Sequence, residues 1–249
     1  MRHAAGAAVV AVTASFAFSA AWSQTVIQQN NVSVSHEGGS VTVSGNTVAV
    51  DVAPAGGRVV GDGQPASETR GIAPVAAVNA DGAFALTIQI GPPGLTVEAD
   101  KNLLPIVRTD VADGRLDIYT DRSYSVEGRI KVTVTSPNVT DISASGSNRI
   151  DGVGLGGGPL SVSLNGSNTA VLSGSVSAVT AHMSGSNHLS ARQLTADSAN
   201  VSLNGSGSAE VEARRQIVAE ISGAGSISVY GNPQARSTQV NGSGRISFE

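Results

Sequence analysis

The residues able to do chemistry in the C-terminal half of this 249-residue chain are few and scattered. Within the repeats there, from 141 onward, the acids are Asp141, Asp151, Asp197, Glu210, Glu212, Glu220 and Glu249. A glycosidase needs two carboxylates facing one groove, and a calcium-dependent lyase needs an acidic cluster with a base. Glu210 and Glu212 share parity on one stretch and are expected near Glu220 of the next repeat. Arg214 and Arg215 follow them directly, which reads as a solvated, salt-bridged face rather than an acid–base pair. His182 and His188 sit three residues either side of Gly185, without a third ligand close in sequence, because His36 lies far away. They are read as surface side chains open to a ligand, not as a metal site. Ser184-Gly-Ser186 is a turn with counterparts elsewhere in the chain, and no Gly-x-Ser-x-Gly elbow leads into a helix. Gly154 to Gly158 lacks the lysine and helix of a phosphate loop and reads as a connection between repeats. The absence of Cys removes zinc-thiolate, iron–sulfur and cysteine-nucleophile chemistry. No catalytic, cofactor-binding or metal residue is expected. Tyr119 and Tyr124 are the best-placed rings for contact with a sugar.

These side chains must be carried by a repeating framework. A motif recurs as Ser145-Gly-Ser-Asn148, Asn165-Gly-Ser-Asn168, Ser184-Gly-Ser-Asn187, Asn204-Gly-Ser-Gly207, Ser222-Gly-Ala-Gly225 and Asn241-Gly-Ser-Gly244. Its leading glycines, Gly146, Gly166, Gly185, Gly205, Gly223 and Gly242, are 20, 19, 20, 18 and 19 residues apart. Two positions before them stand Ala144, Leu164, Met183, Leu203, Ile221 and Val240, and four after stand Ile150, Ala170, Leu189, Ala209, Ile227 and Ile246. The position three before is Ser, His, Glu or Gln throughout. This alternation turns one strand face inward and the other to water. A unit of about 19 residues cannot close a core alone, so the units must stack. The predicted fold is all-β, a parallel β-helix over 71–249, with the glycines at corners that need φ > 0. Asn148, Asn168 and Asn187 share one column, and Asn165, Asn204 and Asn241 fall in another; both are expected to stack along the axis.

Upstream, period-two runs at Phe84–Ile90, Leu95–Ala99, Leu116–Tyr119 and Ile130–Val134 predict less regular coils of the same solenoid. Met1–Ser23 has the positive start, apolar run and small-residue end of a cleaved signal peptide. Residues 24–70 read as a strand-rich segment followed by a flexible linker from Ala53 to Arg70, rich in Gly and Pro. The mature chain offers no stretch long enough for a transmembrane helix. A net charge of −4 makes nucleic acid an improbable partner. Aromatic residues make up 3% of the chain, which argues against a helical or α/β core.

The serial Ser-Gly-Ser turns, Glu68-Thr-Arg70, Val97-Glu-Ala-Asp-Lys-Asn-Leu-Leu104 and Asp113-Gly-Arg-Leu-Asp-Ile118 together resemble the head GIN domain family of putative autotransporter adhesins over roughly Thr69 to Phe248. That resemblance implies a right-handed β-helix, similar in shape to pectin lyases, with an adhesive rather than catalytic role. The Gly-Ile-Asn triplet is replaced here by Gly-Ser-Asn and Gly-Ser-Gly.

The sequence therefore predicts an exported, non-enzymatic β-helix for surface attachment or envelope structure, in the periplasm, on the outer surface or secreted, and without a cofactor. The alternative is a carbohydrate-binding protein or polysaccharide-active enzyme on the same solenoid. Partners are expected to be a surface glycan or protein. A homo-oligomer through the terminal coil is also open, since the strand ending at Glu249 has only Arg245 and Glu249 to guard its edge.

Overall fold

The computed structural model describes residues 33–37, 40–44, 50–51 and 58–249, and the expected signal peptide lies outside them. By its contacts the chain divides into Met1–Ala55 and Gly56–Glu249. In the first unit Ser33–Glu37 pairs antiparallel with Ser40–Ser44, which pairs in turn with Val50–Asp51.

The second unit is the predicted solenoid, with no α-helix among the described residues. Its apolar columns assemble two stacks of strands, here called face A and face B. From one end to the other, face A contains Val107–Ala112, Arg115–Thr120, Ala77–Gly82, Asp141–Gly146, Leu160–Gly166, then 179–185, 198–205, 216–223 and Ala235–Gly242. Face B contains Pro65–Arg70, Gly94–Asp100, Ile130–Ser136, Phe84–Ile90, Arg149–Gly157, then 169–173, 188–191, 208–212, Ser226–Tyr230 and Arg245–Phe248. All pairs are parallel except at the starting end, where Val107–Ala112, Gly94–Asp100 and Pro65–Arg70 join antiparallel.

Two expectations change here. Residues 65–70, read as linker, form a face B strand, and Val59–Val60 pairs with Tyr124–Ser125. The run 71–139 supplies two stacked coils, as expected: a regular one through Ala77–Ile90 and a less regular one through 115–136; only 94–100 and 107–112 turn back, as an antiparallel cap. The same glycine corner occurs at Gly82, in register with Gly146 and 64 residues (146 − 82) before it. The intervening excursion hid it from the periodicity.

Every corner glycine has φ between 100° and 145°. A Cβ there would also run into the backbone: at Gly166, Gly185 and Gly205 it meets the carbonyl oxygen of the corner glycine one coil earlier. Those oxygens accept the next coil's N–H, as from Ser167 to Gly146 at 2.8 Å. Both the backbone angle and the close approach therefore exclude a side chain.

Unequal repeat length is absorbed away from the two faces. The register breaks fall between Gly152 and Leu155, Val171 and Ser173, Ala191 and Thr195, and Ala196 and Ser198, each on the short third side that closes a coil or where a face B strand runs into it. The glycines of 154–158 straddle that side, partly within the strand ending at Gly157. Face A, and face B up to those joins, stay in strict register, and their inward Val, Ile, Leu and Ala columns form one continuous core.

The asparagine ladder is present and buried. Asn168 Oδ1 accepts the Asn148 N–H at 2.9 Å and its amide at 3.0 Å; Asn187 Oδ1 does the same for Asn168, at 2.9 Å each. Each amide also donates to the carbonyl three residues back, at 2.7–2.8 Å. Phe84 N–H closes one end on Asn148 Oδ1 at 2.9 Å. At the other end Gly207 replaces the asparagine, where a Cβ would strike the Asn187 backbone. Asn165, Asn204 and Asn241 form no such ladder; they face outward and are exposed.

Candidate functional site

Strict register on face A turns the outward positions into three straight columns. One runs Asp141, Ser161, Thr180, Asn200, Val218; the next Ser143, Ser163, His182, Ser202, Glu220; the third Ser145, Asn165, Ser184, Asn204, Ser222. Over three successive coils this gives Ser161, Ser163 and Asn165, then Thr180, His182 and Ser184, then Asn200, Ser202 and Asn204. These nine positions contain no acid, lysine or arginine and no large apolar side chain. With coils about 4.8 Å apart and alternate residues about 6.8 Å apart, the array covers about 10 by 14 Å. His182 stands at its centre and is exposed. Asp141 bounds it on one side and Val218 and Glu220 on the other.

The four ligand-surface residues read from sequence separate into different settings. Tyr119 shares face A with His182, since Tyr119 pairs with Asp81 and Asp81 with Ser145. Four strand spacings, about 19 Å, lie between their positions. Its hydroxyl donates to Asp110 Oδ2 at 2.8 Å. That hydrogen bond, followed by desolvation and the Asp110 charge, holds the phenol above its ordinary pKa. Tyr124 belongs elsewhere: its ring packs against the core and its hydroxyl donates to Ala83 O at 3.2 Å. Burial raises its pKa, partly offset by Arg129. His188 lies past the Gly185 corner on face B, with Nδ1 2.7 Å from Ser208 Oγ. The two histidines therefore point from different faces, although six residues apart.

The acids also separate. Glu210 is on face B, where its carboxylate accepts from Ser190 Oγ at 3.2 Å, whereas Glu220 is on face A beside Ser202 and Gln239. The expected proximity of Glu210 and Glu212 to Glu220 fails because the chain turns through the third side at 213–215, between Glu212 and Glu220, and so crosses from face B to face A. Arg215 reaches Asp197 at 3.8 Å rather than these glutamates. Among the described residues no three His, Asp or Glu side chains gather as a metal ligand set.

A hollow of about 680 Å³ opens at the capping end, lined in part by Glu68, Arg70, Lys101, Leu104, Pro105 and Arg108. Arg70 is committed to structure there. Its guanidinium donates to Val107 O at 2.8 Å, Thr109 Oγ1 at 2.9 Å and Leu104 O at 3.2 Å, and pairs with Glu68 at 3.0 Å. Glu68 and Arg70 thus brace the first strand of face B to the first of face A.

Residues 76–233 match the model of a family described as putative auto-transporter adhesin, head GIN domain. The chain belongs to that family. The head GIN match begins beside the first strand of the Gly82 coil and ends beside Asn232, so it takes in the stack up to the last coil, Ala235–Gly242 with Arg245–Phe248, which lies beyond it. A solved putative adhesin from Bacteroides fragilis is 19% identical and superposes with a TM-score of 0.61, covering 77% of this chain and 100% of that one. A putative adhesin from Parabacteroides merdae (20% identical, TM-score 0.45) covers 77% of this chain and 99% of its own. A putative lipid binding protein from Parabacteroides distasonis (20%, TM-score 0.46) covers 78% and 100%. No curated protein matches the chain. At these identities the Bacteroides structure speaks for the fold alone. The array on face A was only half legible in sequence: the position three before each glycine was seen as polar, but the columns either side needed the strand register.

Proposed function

We propose that this protein is an exported, non-catalytic β-solenoid of the cell envelope or cell surface, attaching to a neutral, hydroxyl-rich glycan through face A. The observation that carries this reading is the uncharged Ser, Thr, Asn and His array over three coils. Hydroxyls and amides both donate and accept, so such a surface can exchange its water for the hydroxyls of a repeating polymer without desolvating a charge. Each contact is weak, and affinity comes from repetition along the stack. Family membership supports an adhesive role, and the sequence of Met1–Ser23 supports export.

The test is retention of the purified protein on bacterial cell-wall fractions and on panels of neutral and acidic polysaccharides, with soluble sugar release measured in the same samples. Saturable retention on neutral polymers without release is expected. His182→Glu, which places a charge at the array's centre, should weaken retention at least tenfold, while Ser190→Glu on face B leaves it unchanged. Sugar release that a single acid substitution abolishes would overturn the non-catalytic reading; equal loss in both variants would overturn the choice of face.

A further inference from the structure

One inward column of each face ends in an arginine, on face A at the last coil and on face B at the capping end. On face A the register runs Leu160, Val179, Ala199, Ile217 and then Arg236, and the first four are buried. On face B it runs Ile88, Val134, Leu95 and then Arg70, and again the apolar members are buried. Both arginines are held in place. Arg236 donates to Pro233 O at 2.8 Å and Asn232 Oδ1 at 2.7 Å, and its guanidinium lies 4.3 Å from the ring centroid of Phe248. Phe248 itself ends the inward face B column of Ala191, Val211 and Val229. A contact between the last strands of the two faces thus closes that end, as Arg70 joins the first strands of the two faces at the other.

We infer that Arg70 and Arg236 are end stops that keep the free sheet edges from pairing with a second copy of this chain. The need for them is visible in the last coil. Among the described residues, Ala235–Gly242 pairs only with 216–223, and Arg245–Phe248 only with Ser226–Val229. Arg245 and Glu249 donate their N–H groups back to Gly225 and Val229, so the alternate N–H groups of Ile246 and Phe248 face the open side. Val240, on a core column, is 41% exposed. A further coil stacked there would bury this apolar surface and satisfy these groups, but it would also have to strip water from an inward guanidinium. An inward charge on an edge strand opposes such pairing whether the partner is a new coil or another molecule. Arg245 and Glu249, the protection expected from sequence, point outward or along the edge and leave the core column to Arg236.

Sedimentation velocity over a wide concentration range, with amide exchange at Ile246 and Phe248, tests this. The wild type stays monomeric. Arg236→Leu should self-associate at least tenfold more tightly and stop at dimers, because the Arg70 end remains closed, with Ile246 and Phe248 gaining protection as concentration rises. Arg236→Lys should remain monomeric. The double variant Arg70→Leu, Arg236→Leu should form longer assemblies, since both ends are then open. If Arg236→Leu does not fold by circular dichroism, Phe248→Leu, which removes the ring beneath the guanidinium, takes its place with the same expectation. A folded Arg236→Leu or Phe248→Leu variant as monomeric as wild type overturns the inference, as does association without protection at this edge. None of these outcomes bears on polysaccharide retention by face A.

Discussion

Two kinds of side chain carry this structure beyond its apolar columns: amides that satisfy corners from within and phenols that tie strands together. Asn168 is the middle of the buried ladder, serving Asn148 above, Asn187 below and its own turn carbonyl. Asn168→Ala should cost about 2–4 kcal/mol, because the Asn148 N–H and the Asn165 carbonyl lose partners at a dry corner; urea unfolding checks it. The same substitution at exposed Asn165 should shift stability by less than about 0.5 kcal/mol. Tyr124 makes a pH prediction. Its pKa is raised in the folded state by burial, so above the unfolded phenol's ordinary pKa of about 10 the folded chain keeps a proton that the unfolded chain has lost. Stability contributed by this group is complete below that pH and declines as pH rises toward the folded value. The urea midpoint should therefore fall between about pH 9.5 and 11, and Tyr124→Phe should flatten that fall. Tyr119 titrates in the same direction, but its exposure makes its share small.

The strands tolerate change unequally because only two of the three sides keep register. One residue inserted on face A inverts the parity of everything between it and the next corner. A serine inserted between Thr180 and Ala181 would aim Thr180 or His182 into the core and should cost at least about 3 kcal/mol. A glycine inserted between Gly156 and Gly157, on the side that already contains the register breaks, should cost less than about 1 kcal/mol. Thermal melts of the two insertions give the comparison directly. Equal losses would show that the third side is as constrained as the faces.

For the molecule as a whole, stacking makes a coil a removable unit. Deleting residues 186–205 joins Gly185 to Ser206 and brings Thr169 opposite Ser208 and Met183 opposite Ile221. Asn168 then meets Gly207 in the role Asn187 now fills. The shortened chain should fold with an unchanged β-sheet circular dichroism spectrum and a modestly lower Tm. Loss of cooperative unfolding would mean that this coil is indispensable rather than repetitive. The deletion also removes the row of Asn200, Ser202 and Asn204 from face A, so retention on a neutral polysaccharide should weaken along with the array.

The periodic glycines and the apolar columns around them were enough to specify an all-β stacked solenoid and its inward face, because each repeat states the same local rule and neighbours enforce it; of the two asparagine columns expected to stack, the structure makes a ladder of the buried one alone. Sequence predicted the strand Phe84–Ile90 but did not disclose Gly82 as its corner, since 64 residues separate Gly82 from Gly146 and no local signal bridges that gap. It placed Glu210, Glu212 and Glu220 together because parity along one strand run says nothing of the bend that sends them to different faces. It read 65–70 as linker because an antiparallel partner at Gly94–Asp100 is a long-range fact. The uncharged array and the inward arginines are of the same kind. Each residue in them is unremarkable by type, and its meaning comes from which residues of other coils share its column, a relation set by register between strands.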